Sequence, residues 1–358
     1  MANYRNPKIV TFYNKKQVCF DNIKSSSYSK SPLKPYLLLK RMREKGFDNM
    51  LEVRGDFEPF VKNDFHIAHT KRYVDNVFTK KGNYASNGVP WSKNLVESLT
   101  YTNSALYNAK KHALLNPRSV TFAPISGMHH ARPDSGSGFC TFSGQVISAI
   151  KIYQEYKAVG AYLDLDGHFG NSIEDSREFN PILNKAIPVG CNVNITGKNE
   201  EYVKNFDDAL TRIGYDIIRG RIHYVVFCHG ADSHADDDLN GDCNTKNWVK
   251  CAEIFAKWVN ECSSFMGKPL PVVLTLFGGY RKDDYNAVLD LHMKSLIKCS
   301  NIICGNRYVD NLIIPEKPKY EYYDFETSRS SSKNTQSFKY WQKRRNNEKR
   351  MRLFGTIN

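Results

Sequence analysis

The stretch Gly160-Ala161-Tyr162-Leu163-Asp164-Leu165-Asp166-Gly167-His168 decides the fold. Its first four residues read as a buried strand, the kind found inside a parallel sheet covered on both faces. The chain then leaves that strand with ionisable residues at alternate positions. In extended backbone Asp164, Asp166 and His168 point to one side. Charged groups at the mouth of a buried strand are costly to desolvate unless a cation compensates. Metal ligation is the natural compensation; the competing reading has the aspartates capping the next segment and the histidine merely hydrogen-bonded.

Outward from this stretch, short apolar or β-branched runs alternate with longer helical patterns, which predicts βαβ units and an α/β fold. Strands are expected at Ile9–Tyr13, Ser119–Ala123, Gly160–Leu163, Ile222–Cys228, Val272–Leu276 and Asn301–Cys304, with a weaker one at Pro188–Val193. Helices are expected at Leu33–Lys45, Lys71–Thr79, Ser92–Leu115, Phe142–Tyr156, Glu200–Ile218, Thr245–Phe265 and Asn286–Lys298.

Binding sites in open parallel sheets form at the carboxyl ends of strands, and three further strand ends carry usable groups. After Val225-Val226-Phe227-Cys228 comes His229-Gly230-Ala231-Asp232, so Asp232 supplies a second carboxylate beside Asp166 and His168. Two carboxylates and one imidazole suit Zn²⁺ with an open position, and also Fe²⁺ or Co²⁺. The following Asp236-Asp237-Asp238 run reads as a solvated loop. After Thr121-Phe122-Ala123 lie His129 and His130, a chance surface pair or, beside an activated water, proton carriers. After Val273-Leu274-Thr275-Leu276 lie Gly278-Gly279-Tyr280, where paired glycines let backbone approach a ligand and bring the tyrosine hydroxyl toward an oxyanion.

The 358 residues are 41% hydrophobic, enough for one large α/β domain or two modest ones with a real core. No run approaches the ~18 apolar residues of a membrane span, and Met1–Lys8 lacks the apolar centre of a secretory signal. A cytoplasmic protein is expected, with no membrane partner. Nine scattered cysteines without a C-x-x-C pair argue for buried thiols rather than a zinc ribbon or redox site. The net charge of +14 is concentrated: nine basic residues against Glu348 fall between Arg329 and Arg352, more than half of the total. The chain is therefore read as a body over residues 1–314 and a basic, partly disordered appendage over 315–358. Aromatics Phe338, Tyr340 and Trp341 interleaved with those cations make residues 329–352 a candidate nucleic-acid contact.

The ordered set His129-His130, Gly138-Phe139-Cys140, Asp164-x-Asp166-x-His168, Gly230-Ala231-Asp232 and Gly278-Gly279-Tyr280 resembles the histone deacetylase family, in particular its bacterial members. Flanking segments look alike too: Ser126–Ala131, Ser98–Asn103 and the His69–Tyr73 His-x-x-x-Tyr segment, over roughly residues 30 to 305. The resemblance implies an arginase/deacetylase-type three-layer fold, with a central, mostly parallel sheet flanked by helices, in a catalytic domain over 1–314. It implies Asp166, His168 and Asp232 as ligands of Zn²⁺, and a monovalent cation near Asp164. His129, backed by Asp164, and His130, backed by Asn171, would move protons. Tyr280 would bind the carbonyl oxygen, with Gly138, Phe139 and Gly279 lining the substrate's path. The implied reaction is hydrolysis of an acetylated lysine or polyamine.

This sequence departs from the family at four places. Gly167 stands where relatives carry a larger residue, which predicts looser packing around His168. Phe169 replaces a second histidine, Asn171 replaces the aspartate of some branches, and Ser143-Gly144 replaces an asparagine. A two-metal, arginase-like site needs a further carboxylate two residues after the histidine ligand, and that position is Gly170. The remaining rival is a non-catalytic binder of an acylated amine or nucleic acid on the same fold.

Overall fold

The computed structural model describes residues 7–21, 29–81 and 87–318. The chain divides into Met1–Lys317 and Pro318–Asn358. Nearly all of the second unit, including the candidate nucleic-acid segment 329–352, lies outside the described residues.

Seven strands form one wholly parallel sheet: β1 Ile9–Phe12, β2 Leu51–Arg54, β3 Val120–Ala123, β4 Gly160–Asp164, β5 Asn192–Asn194, β6 Tyr224–Gly230 and β7 Val272–Phe277. Their spatial order is β2-β1-β3-β7-β6-β4-β5. Strands β3, β4, β6 and β7 are buried along their full length, which is why each reads as an unbroken rather than an alternating apolar run.

Nine helices are described: α1 Lys34–Glu44, α2 Lys71–Thr79, α3 Lys93–Leu115, α4 Gly144–Tyr156, the single turns α5 Ser172–Asp175 and α6 Leu183–Ala186, α7 Glu200–Ile218, α8 Thr245–Met266 and α9 Tyr285–Ile303. They form two groups, α2 to α6 around the α3–α4 pair, and α1, α9, α8 and α7 touching in series. The result is the three-layer α/β architecture expected from the sequence. Helix α7 shows why such segments fold inward: Tyr202, Phe206, Leu210, Ile213 and Ile217 recur at helical spacing and are all buried.

One expected strand is not a strand. Asn301–Cys304 continues α9, with Cys304 N–H donating to Ser300 O at 3.1 Å. Its short apolar run suits either structure. The buried face of Leu296, Cys299 and Ser300 carries the helix on to Gly305, whose positive φ of 70° ends it. The sheet's edge strand β2 went unforeseen, because its Glu52 and Val53 face outward and leave no apolar run.

Ala123, Thr275, Cys228 and Asp164 pair in one row across four neighbouring strands. His129, His130, Asp166, His168, Asp232 and Tyr280 all follow that row along the chain, on the carboxyl side of the sheet.

Candidate metal and proton-transfer site

The loop after β4 carries Asp166 and His168 over the end of β6, where Asp232 sits in a short 3-10 turn. One ligand atom from each lies within 4.8 Å of the others, the one such His/Cys/Asp/Glu group among the described residues. His168 Nδ1 is 2.8 Å from Asp232 Oδ2 and 3.2 Å from Asp166 Oδ1. Both carboxylates are buried, while 37% of the His168 side chain is exposed.

Two observations test whether these residues fit a metal ion. Asp166 Oδ2 is buried without a hydrogen-bond partner, a costly condition that an ion would relieve. Gly278 has φ 44°, and a Cβ there would stand 1.8 Å from Asp232 Oδ1 and 2.8 Å from Asp166 Oδ2. Backbone thus lies directly against the carboxylates where any side chain would intrude. A two-carboxylate, one-imidazole donor set is also the kind that leaves a metal position open. The residues fit.

The electrostatics point the same way. Burial resists charging His168, but Asp166 and Asp232 outweigh it and lift its pKa to about 11. Burial and the charge of Asp166 push Asp232 up to about 7. Burial also works against the Asp166 carboxylate, yet His129 and His168 hold it below its ordinary range. Two like charges this close require a positive partner.

The loop after β3 presents the histidine pair, with ring centroids 4.1 Å apart. Inner His129 sets Nδ1 3.0 Å from Asp164 Oδ2 and Nε2 3.7 Å from Asp166 Oδ1. Burial opposes its charge, but Asp166 and Asp164 raise its pKa to about 9. Outer His130 sets Nδ1 2.9 Å from Asn171 Oδ1, and Asn171 donates to Asp175. Burial, then His129, lower the His130 pKa to about 3. A side chain at Gly170 would meet Asp164 Oδ2 at 2.5 Å, so no further ligand fits there.

The loop after β7 brings in Tyr280, its ring 6.3 Å from that of His168 and 5.5 Å from that of Phe139. Burial and the nearby Asp166 and Asp232 hold its phenol above its ordinary pKa, so it stays a neutral donor. Gly279, at φ 98°, passes where a Cβ would lie 2.4 Å from Val288. Gly138 and Phe139 both have positive φ, and a Cβ at 138 would stand 2.4 Å from the His130 ring. Phe139 N–H donates to Asn87 O at 2.7 Å. His69 and Tyr73 support this loop from below: His69 Nε2 accepts from Ser143 N–H, and Tyr73 donates to Thr141 O.

Two sequence readings change, at Gly167 and in the aspartate run. The space beside Gly167 is filled, since a Cβ there would meet Asn240 Nδ2 at 2.1 Å, so the expected looser packing is absent. Phe169 is 43% exposed and lines a shallow groove with Asn192–Thr196 and Arg212 beside β5. The aspartate run is not solvated throughout: Asp237 is buried and accepts the Tyr280 N–H.

Sequence reading also passed over Lys34. Its fully buried ammonium donates to Gly278 O and Ser126 Oγ. Burial pulls its pKa down to about 8 against the pull of Asp232, Asp166 and Asp237. The available signal was a lysine in register with Leu38 and Met42 on the buried face of α1.

Residues 29–185 match the family model described as Histone deacetylase domain. Histone deacetylase 9 of Arabidopsis thaliana is 26% identical over 182 residues, 44% of this chain and 40% of that protein. Histone deacetylase 8 of Danio rerio is 38% identical over 154 residues, 42% of this chain and 39% of that protein. The chain thus spans about two fifths of the length of these curated relatives. Among solved structures, the crystal structure of the HDA15 HD domain superposes with a TM-score of 0.61 at 14% identity, covering 84% of this chain and 90% of that one. That likeness is one of fold. These relatives do not single out the bacterial branch.

Proposed function

Since the chain belongs to the histone deacetylase family, we propose that it is a metal-dependent deacylase hydrolysing the amide of an acetylated amine, an acetyl-lysine or acetylpolyamine. The observation that carries the reading is the buried Asp166–His168–Asp232 cluster with its unpartnered Asp166 oxygen, faced by His129 and Tyr280.

Asp166, His168 and Asp232 would hold the ion, Zn²⁺ first, with Fe²⁺ or Co²⁺ compatible with the same donors. Bound there, it would supply Lewis acidity that polarises the amide carbonyl and makes water a nucleophile near neutral pH. The chain's own groups do the rest. Neutral His130, held in orientation by Asn171, accepts the proton released as water attacks. His129, bonded through Nδ1 to Asp164 and facing Asp166, stabilises the growing negative charge. Tyr280 donates its hydroxyl to the oxyanion. The proton gathered by the histidine pair then passes to the departing amine. Phe139 flanks the acyl-amine stem, and Gly138 and Gly279 let backbone pass close to it. Backbone around Asp164 is the candidate monovalent-cation position.

No observation favours the non-catalytic binder, whose nucleic-acid segment 329–352 lies outside the described residues. No described helix is long and apolar enough to cross a membrane.

The test is fluorophore release from an acetyl-lysine amide by chelated and Zn²⁺-reloaded protein, beside Asp232→Ala. Turnover that appears on reloading and is missing from the variant supports the reading. A chain that binds no divalent ion sinks it.

A further inference from the structure

The segment Gly278-Gly279-Tyr280 leaves β7 with two positive φ angles, so glycine's freedom lets it turn but does nothing to hold it. Lys34 holds its first residue through Gly278 O, and the hold on Tyr280 comes from the opposite loop. Asp237, five residues after Asp232, is only 8% exposed, although it sits in a run of three aspartates. Its Oδ2 accepts the Tyr280 N–H at 2.6 Å, and its Oδ1 accepts the Leu239 N–H at 2.9 Å. Its own N–H donates to His234 O at 3.0 Å. The carboxylate is thus fixed within its turn and spans to the backbone of the tyrosine. Asp238, the next residue, repeats the pattern at the more open edge by accepting the N–H of Lys282, two residues beyond Tyr280, at 2.9 Å.

We infer that Asp237 is a positioning residue: its carboxylate anchors the backbone amide of Tyr280 and so sets where the tyrosine hydroxyl meets the reacting carbonyl. The inference rests on the deacylase reading for its effect on catalysis, though the anchor itself can be tested without turnover. A hydrogen bond to a charged acceptor is among the stronger ones, and here it takes over from the strand pairing that ends with Phe277. A donor displaced by an ångström costs on the order of 10²-fold in rate.

The experiment compares wild type, Asp237→Ala, Tyr280→Phe, the double variant and Asp238→Ala, reading Tyr280 amide hydrogen exchange and steady-state kinetics in the Zn²⁺-loaded chain. Asp237→Ala should expose the Tyr280 amide to exchange, leave the β6 amides protected, and lower kcat about 10–100-fold with KM little changed. Combined with Tyr280→Phe it should cost nothing further, since the group it positions is gone. Asp238→Ala should keep wild-type turnover. If Asp237→Ala does not fold, Asp237→Asn serves, keeping the volume but leaving one acceptor for two N–H donors. Unchanged Tyr280 exchange overturns the inference whatever the activity, as do losses that multiply in the double variant or an equal loss in Asp238→Ala. A wild type without turnover overturns the deacylase reading instead, and exchange alone then decides on Asp237.

Discussion

His130 Nδ1 lies 2.9 Å from Asn171 Oδ1, whereas His129 Nδ1 lies 3.0 Å from the Asp164 carboxylate. Two adjacent imidazoles therefore rest on partners of different charge. The inner ring is lifted to about 9 and the outer lowered to about 3. Environments that push neighbouring groups apart in this way assign them different tasks.

Asn171→Asp should move the outer histidine. A carboxylate favours the imidazolium, so the His130 pKa rises and the neutral base is lost over a wider acidic range. The acid limb of kcat/KM against pH is expected to shift to higher pH, with the alkaline limb nearly fixed. An unmoved acid limb would show that His130 is not the group being titrated.

Metal uptake should release protons. In the ion-free protein His168 carries its proton up to about pH 11, between the two carboxylates. An ion taking that place near neutral pH expels the His168 proton and whatever proton Asp232 holds, so affinity climbs with pH. Calorimetry of Zn²⁺ binding in buffers of different ionisation enthalpy reads the number directly, and zero release would contradict the proposed ligand set.

Removing charge from the cluster should separate stability from loading. Asp232→Asn removes a carboxylate whose pKa burial, and then the charge of Asp166, push up to about 7. Chelated variant is expected to melt above chelated wild type, while added Zn²⁺ raises the Tm of wild type alone. Equal Zn²⁺ stabilisation of both proteins would remove Asp232 from the ligands.

Tyr280→Phe should keep the ion and lose the rate. The hydroxyl is the one group the substitution removes, and loss of an oxyanion donor costs on the order of 10²–10³ in kcat. Metal analysis alongside kinetics checks both halves.

Lys110→Met should stabilise the fold. Lys110 is fully buried, donating to Ser148 and Tyr162 with no carboxylate among its partners in the described residues, and burial holds its pKa well below the ordinary value. As pH falls below the ordinary lysine value the unfolded chain takes up a proton that the folded chain refuses, which destabilises the fold. Methionine removes that loss, and Tyr162 keeps its bond to Gln145 O at 3.0 Å. A gain of about 1–3 kcal/mol in urea denaturation at pH 7 is expected, narrowing toward pH 10. A gain independent of pH would assign the effect to packing instead.

What the sequence determined by itself was local. Unbroken apolar runs announced buried parallel strands, near-helical spacing of Leu95, Leu99, Leu106 and Ala109 announced α3, and the alternation of Asp164, Asp166 and His168 put three polar groups on one side of one strand end. Adjacency across the sheet was not written locally. The row Ala123–Thr275–Cys228–Asp164 exists because β7 and β6, late in the chain, insert between β3 and β4. Only that insertion gathers four loops into one site. The tertiary structure likewise decided which of three consecutive aspartates is buried, what fills the space beside Gly167, and that Asn301–Cys304 is helical. Each of these depends on desolvation and packing by residues distant in sequence, which a pattern read along the chain does not contain.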